Sequence, residues 1–69
     1  MKSLFLTPRE KEIFKLLLNN YSTKEIADEL NISEKTVRNH ISNVMQKLDV
    51  NSRYQAIIEL IKLNELFIN

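Results

Sequence analysis

Residues 23–42, TKEIADELNISEKTVRNHIS, constrain the fold more than any other part of this 69-residue chain. Apolar and small residues recur there at helical spacing on both sides of Asn31, which predicts two short helices joined by a tight turn. Ala27 is small enough to let the helices cross closely. Asn31 stands where such a turn needs a positive φ, a position usually given to glycine, and Ser33 can cap the second helix. The core-facing positions are Ile26, Ala27, Leu30, Ile32, Val37 and Ile41. The segment therefore predicts a helix-turn-helix.

The second helix of this motif, predicted to run from Ser33 to about Leu48, is strongly two-sided. Its apolar stripe is formed by Val37, Ile41, Val44 and Leu48, with Met45 at the margin. Helices about 10–12 Å across fit a DNA major groove about 12 Å wide. The opposite face carries the candidate base-reading residues Lys35, Arg38, Asn39 and Ser42.

The chemistry of that polar face suits base edges. Arg38 can donate two hydrogen bonds to guanine, and Asn39 can pair with the edge of adenine. Ser33 and the free N–H groups at the helix start can bind a phosphate. The alternative interpretation is an ordinary polar helix surface. Gln46 lies too far along the helix to reach a base.

The positive charge of the chain is concentrated on this helix and the turn after it. The whole chain has a net charge of +1, but residues 35–53 hold four basic residues against Asp49 alone, for +3. The segments before and after are each −1. A localised basic patch is what phosphate contact requires, although chance clustering on a solvated face is the alternative.

The rest of the sequence predicts an all-α fold of four helices. Thr7-Pro8-Arg9-Glu10 and Ser22-Thr23-Lys24-Glu25 are capping boxes that open the first and second helices. Ser52-Arg53-Tyr54-Gln55 caps a fourth helix that is predicted to reach about Asn64. Glycine is absent from the chain, so short polar residues must take the left-handed positions at the turns. These residues are Asn20, Asn31 and Asp49.

Length and composition favour one small domain spanning 1–69, with the helix-turn-helix at about 23–48. A chain this short buries only about 60% of its unfolded surface, so it should be marginal alone and helped by a partner. The absence of cysteine excludes disulfides and thiolate metal sites. No metal or other cofactor is expected, and no apolar run is long enough for a membrane span or signal peptide. We expect a cytosolic protein.

The stretches LTPREKEIFKLL, STKEIADELNISEKTVRNHISNVMQKL and NSRYQAI resemble the LuxR-type DNA-binding domain over about residues 4–66. The segment ISEKTVRNHISN is most similar to a small stand-alone regulator of sporulating bacteria. The resemblance implies a four-helix domain whose third helix reads the major groove and whose fourth helix forms a homodimer. It assigns base reading to Arg38, Asn39 and Ser42, with Lys35 near the groove floor. It assigns contacts with the DNA backbone to Lys24, Thr36, Asn43, Lys47 and Arg53. The chain departs from the family at Asn20 and Asp49, where glycine is usual.

The predicted fourth helix, about residues 53–64, independently suggests a dimer. Its apolar residues cover more than half of its circumference, which exceeds what so small a core can bury, and an exposed apolar patch usually marks an interface. We predict that Ile57, Ile58 and Ile61 face the partner. Ala56, Leu60 and Leu63 are predicted to face inward, although the two stripes are interchangeable on sequence alone. The alternative is a helix sunk in its own core. Leu66, Phe67 and Ile68 either pack back or extend the interface.

Other function classes fit the sequence less well. The chain can be a DNA-reading fragment of a sigma factor or response regulator, but Met1 and the complete four-helix pattern favour an independent protein without a receiver domain. A helical protein-interaction module leaves the basic segment unexplained. One histidine and no spaced carboxylate pair argue against an enzyme. His40 is expected to be structural or to touch phosphate. An activator would also need a surface for RNA polymerase, which we place among Glu10, Glu12 and Lys15.

Overall fold

A computed structural model describes residues 6–66 of the chain. Its four helices are α1 (Pro8–Leu18), α2 (Thr23–Leu30), α3 (Glu34–Leu48) and α4 (Arg53–Lys62), and no strand occurs within residues 6–66. Helix α3 packs against each of the other three helices, and α1 also packs against α2. The all-α, four-helix prediction is confirmed.

The core lies around the apolar stripe of α3. Val37 and Val44 of that helix are fully buried, and Phe14 is the largest fully buried side chain among residues 6–66. Each apolar side chain of this kind contributes about 1.5–3 kcal/mol when it leaves water completely. The other fully buried large side chains are Ile13, Ile26 and Leu60. This packing fixes the rotation of α3 and so decides which of its residues remain outside.

The predicted caps open the helices. Both capping boxes are complete: Glu10 N–H donates to Thr7 Oγ1 at 3.1 Å while Thr7 N–H donates to Glu10 Oε1 at 2.9 Å. The corresponding distances between Ser22 and Glu25 are 3.0 and 2.8 Å. Each box satisfies two backbone donors that a helix start leaves without intrahelical partners. The helix starts are therefore fixed by local chemistry.

The predicted left-handed residues also end the helices as expected. Asn20, Asn31 and Asp49 have φ values of 66°, 57° and 57°. A fourth left-handed residue, Asn64 with φ 61°, was not predicted. It marks a chain reversal after α4. The helix ends at Lys62, two residues before the predicted end at about Asn64.

This reversal overturns the predicted orientation of Leu63. We expected Leu63 to face inward, but it caps α4 and is 50% exposed. The N–H groups of Glu65 and Leu66 both bond to the carbonyl of Leu60, at 2.8 and 3.2 Å, and Leu66 is buried instead. Thus Leu66 packs back onto the core, while Phe67 and Ile68 lie outside the described residues.

Candidate nucleic-acid interface

The turn between α2 and α3 sets the angle at which α3 is presented. Asn31 adopts φ 57° and ψ 46°, and the N–H of Ile32 bonds to the carbonyl of Ala27 at 3.0 Å. Ala27 is buried at 5% exposure, which agrees with its predicted role in close helix crossing. The turn is thus held by backbone hydrogen bonds and a left-handed asparagine.

Ser33 begins α3 as its N-cap. Its Oγ accepts a hydrogen bond from Thr36 N–H at 3.0 Å and lies 2.9 Å from Thr36 Oγ1. The Ser33 side chain is therefore engaged in capping, and phosphate binding at this helix start stays a prediction that would rest on the backbone N–H groups of the first turn.

The polar face of α3 lies at the surface. All four candidate base-reading residues, Lys35, Arg38, Asn39 and Ser42, are exposed, as is Gln46. Arg38 Nη1 lies 3.6 Å from Glu34 Oε1, and the two side chains are 57% and 47% exposed. Exposed pairs at this helical spacing contribute only about 0.3–0.5 kcal/mol, so Arg38 can exchange Glu34 for another partner at little cost. The structure brings these four side chains onto one face.

A second row of α3 residues borders this face on one side. Thr36, His40, Asn43 and Lys47 are spaced by four, three and four positions, which places them on one stripe of the helix. Thr36 and His40 are half-buried, whereas Asn43 and Lys47 are exposed. Three of the four residues are predicted backbone contacts, and we call this row the flank of α3.

Lys47 links the flank to α1. Its Nζ lies 2.8 Å from Oε1 of Glu10, the carboxylate that also closes the first capping box. Glu10 is only 3% exposed. Burial acts to raise the pKa of Glu10, but the hydrogen bonds from Lys47 and Thr7 and the Lys47 charge outweigh it and lower the pKa below its usual 4.5. The carboxylate is therefore charged at neutral pH.

The position of Glu10 corrects the prediction that this residue belongs to a polymerase surface. It also shows a contact between α1 and α3 that the sequence did not predict. A buried carboxylate bonded to Lys47 cannot belong to an exposed polymerase surface, so that assignment of Glu10 is wrong. The capping box explained Glu10 locally, and its pairing with a residue 37 positions away leaves no periodic signal in the sequence.

A family model described as bacterial regulatory proteins, luxR family, matches residues 4–60. The chain belongs to the luxR family. Its members regulate transcription by binding DNA, and this chain is accordingly a DNA-binding transcription regulator. The family is not a class of enzymes.

Individual relatives agree with this assignment. The chain is 64% identical over 61 residues to the spore germination protein GerE of Bacillus subtilis (strain 168), an alignment that covers 88% of this chain and 82% of the relative. It is 53% identical over 57 residues to the transcriptional regulatory protein DegU of Brevibacillus brevis, covering 83% of this chain but 24% of DegU.

Two solved structures share the fold of the chain. The structure of the transcription factor GerE matches with a TM-score of 0.90 at 60% identity, covering 99% of this chain and 100% of that one. The response regulator ChrA of a heme-sensing two-component system matches with a TM-score of 0.86 at 32% identity, covering 96% of this chain and 33% of ChrA.

In this luxR-family domain, the remaining predicted backbone contacts lie at helix starts. Lys24 is exposed in the first turn of α2, and Arg53 is half-buried at the first position of α4. Ser52 caps α4 by accepting from Gln55 N–H at 3.1 Å. Lys24, Ser33 and Arg53 thus stand at the starts of three different helices, where the backbone itself offers partial positive charge.

The outer face of α4 is unusually apolar for a surface. Tyr54 is 73% exposed and Ile58 is 52% exposed. Ile57 and Ile61 are half-buried and pack against the core, while Ala56 and Leu60 are fully buried. Of the three residues predicted to face a partner, Ile58 is therefore the most accessible, and Tyr54 joins it on the same side at a spacing of four. Within residues 6–66, no helix is long and apolar enough to cross a membrane.

Proposed function

We propose that the chain binds duplex DNA as a homodimer, with α3 of each copy inserted in the major groove of one half-site. The observation that carries this proposal is the two-sidedness of α3, whose apolar side is buried while Lys35, Arg38, Asn39 and Ser42 are exposed together. Side chains of these types have the donors and acceptors that major-groove edges require.

The proposed backbone contacts surround these base contacts. Charged and polar groups on the phosphates fix the register of a protein on DNA, while base edges supply the sequence information. Helix starts and the flank of α3 supply such groups on either side of the base-reading face. The proposed backbone residues are Lys24, Ser33, Thr36, Asn43, Lys47 and Arg53.

The homodimer is proposed to form through α4. An exposed tyrosine and isoleucine on one face, continuous with half-buried Ile57 and Ile61, form the kind of apolar patch that marks an interface. Two copies related by a twofold axis would read half-sites about one helical turn, or 34 Å, apart. Self-association measured by sedimentation equilibrium tests this directly, because a strictly monomeric chain at micromolar concentration would contradict it.

The identity and coverage of the GerE match support a role in sporulating bacteria, in the cytoplasm where the DNA lies. The chain covers only 24% of the transcriptional regulatory protein DegU and 33% of the response regulator ChrA. That observation favours a second candidate, the DNA-reading part of a longer response regulator. RNA polymerase remains a proposed partner, for which Glu12 and Lys15 are exposed on α1.

Selection of bound duplexes from a random library tests the function itself. The homodimer predicts an enriched site with two related half-sites at fixed spacing. Enrichment of one unpaired half-site would favour the monomeric second candidate, and no enrichment at all would contradict sequence-specific binding by this chain.

A further inference from the structure

Glu10 is the one charged residue buried among residues 6–66. It contacts Lys47, a residue of the proposed DNA-binding surface. Its Oε1 accepts from Thr7 N–H at 2.9 Å and from Lys47 Nζ at 2.8 Å. The Glu10 side chain is 4% exposed, whereas that of Lys47 is 37% exposed. The ammonium group therefore lies between a buried negative charge and solvent, on the flank that also carries Thr36 and Asn43.

We propose that Glu10 sets the balance between non-specific and specific DNA binding by cancelling part of the charge that Lys47 presents to a phosphate. This inference rests on the proposed phosphate contact of Lys47. A cation that already has a carboxylate at hydrogen-bonding distance neutralises less of a phosphate charge, so fewer of the cations condensed on the DNA are released on binding.

Phosphate neutralisation supplies essentially all of non-specific affinity, while base contacts supply discrimination. Residues 35–53 carry a net charge of +3, and without Glu10 the far end of α3 would attract any duplex more strongly. The carboxylate is well placed for this role because it is fixed twice, by the capping box and by Lys47. Glu10 is thus a residue that tunes specificity without touching DNA.

Glu10→Gln tests the proposal with little change of shape, since the amide oxygen can still accept from Thr7 N–H. One neutralised phosphate contributes about 0.9 to the slope of log K against log salt. We expect Glu10→Gln to steepen this slope by up to about 0.9, to bind random duplex several-fold more tightly at low salt, and to lower the ratio of specific to random affinity.

Glu12→Gln is the matched control. It removes one negative charge from the same helix, but Glu12 is 55% exposed and pairs with Arg9 at 3.4 Å rather than with a residue of α3. Its slope should stay near that of the parent chain. Equal slopes for the parent and Glu10→Gln, or equal steepening by Glu10→Gln and Glu12→Gln, would overturn the proposal.

Lys47→Gln completes the experiment, and its measurement in the parent chain does not depend on the stability of the Glu10 variant. In the parent chain it should lower the slope by clearly less than about 0.9, and in the Glu10→Gln chain by the full amount. A full loss in the parent chain overturns the proposal, as does no loss in either. If the parent chain itself showed no salt-dependent binding to duplex DNA, the proposed function would fail instead.

Discussion

Helices α3 and α4 each bury an apolar side, but their outer surfaces differ in polarity. Each buries one apolar side completely, through Val37 and Val44 in α3 and through Ala56 and Leu60 in α4. The outer face of α3 is polar and includes Arg38, whereas that of α4 presents large apolar side chains. A polar groove-sized face suits nucleic acid, and an apolar face suits another protein surface. The difference fits our proposal that DNA binding and self-association use separate helices.

The buried sides of α3 and α4 should both contribute to the free energy of unfolding. The largest effect is expected for Leu60→Ala. Removing a fully buried leucine from α4 should lower the free energy of unfolding by about 2–5 kcal/mol, through lost burial and the cavity left behind. Urea denaturation followed by circular dichroism measures the change. Leu63→Ala is the matched control, because Leu63 is half-exposed, and an equally large loss there would show that the reversal after α4 is misplaced.

The outer face of α4 is tested by Ile58→Lys. Placing a charge in the centre of the proposed interface should weaken self-association by about 2 kcal/mol or more, because the lysine must be desolvated. Sedimentation equilibrium measures the dissociation constant. Leu63→Lys changes an equally exposed side chain outside the proposed face and should dimerise as the parent does. An Ile58→Lys chain with unchanged self-association would remove α4 from the interface.

The outer face of α3 is tested by Arg38→Ala. Loss of a bidentate base contact should cost about 1–3 kcal/mol on the selected site and relax the preference at one base pair, without affecting dimerisation. Fluorescence anisotropy against single-base variants of the site measures this. Uniform weakening on every duplex would instead indicate that Arg38 contacts phosphate.

The smallest expected effect is the pH dependence of stability that arises from the Glu10–Lys47 pair between α1 and α3. Because the folded state lowers the pKa of Glu10, its stabilising contribution is complete above the usual value of 4.5 and is lost as pH falls through the folded value. Denaturation midpoints at neutral pH and below 4.5 should therefore differ more for the parent chain than for Glu10→Gln. Glu12→Gln should keep the parental difference, and identical acid sensitivity of the Glu10→Gln and parent chains would contradict the link.

The features that the sequence predicted correctly are governed by neighbours along the chain. Capping boxes act over three residues, and the left-handed roles of Asn20, Asn31 and Asp49 follow from the absence of glycine together with their positions between apolar runs. The exposed polar face of α3 followed from helical periodicity, and family membership followed from the resemblance of three sequence stretches to the LuxR-type domain. The roles of the individual DNA contacts and the dimer face stay predictions.

The features that sequence reasoning missed depend on tertiary contacts. The Lys47–Glu10 pair joins helices that are far apart in the chain, and helical periodicity does not predict such a pair. Leu63 was predicted inward because its spacing from Ala56 and Leu60 assumes that α4 continues. The chain reversal at Asn64 instead brings Leu66 to the core and leaves Leu63 half-exposed.

The glycine-free turns give this small domain room for engineering. All four left-handed residues among residues 6–66 carry a β-carbon, although that conformation favours glycine sterically. Replacing each of them with glycine, one at a time, offers incremental gains in heat tolerance at positions outside the four helices. A more thermostable version of the regulator can therefore be sought without redesigning what it recognises.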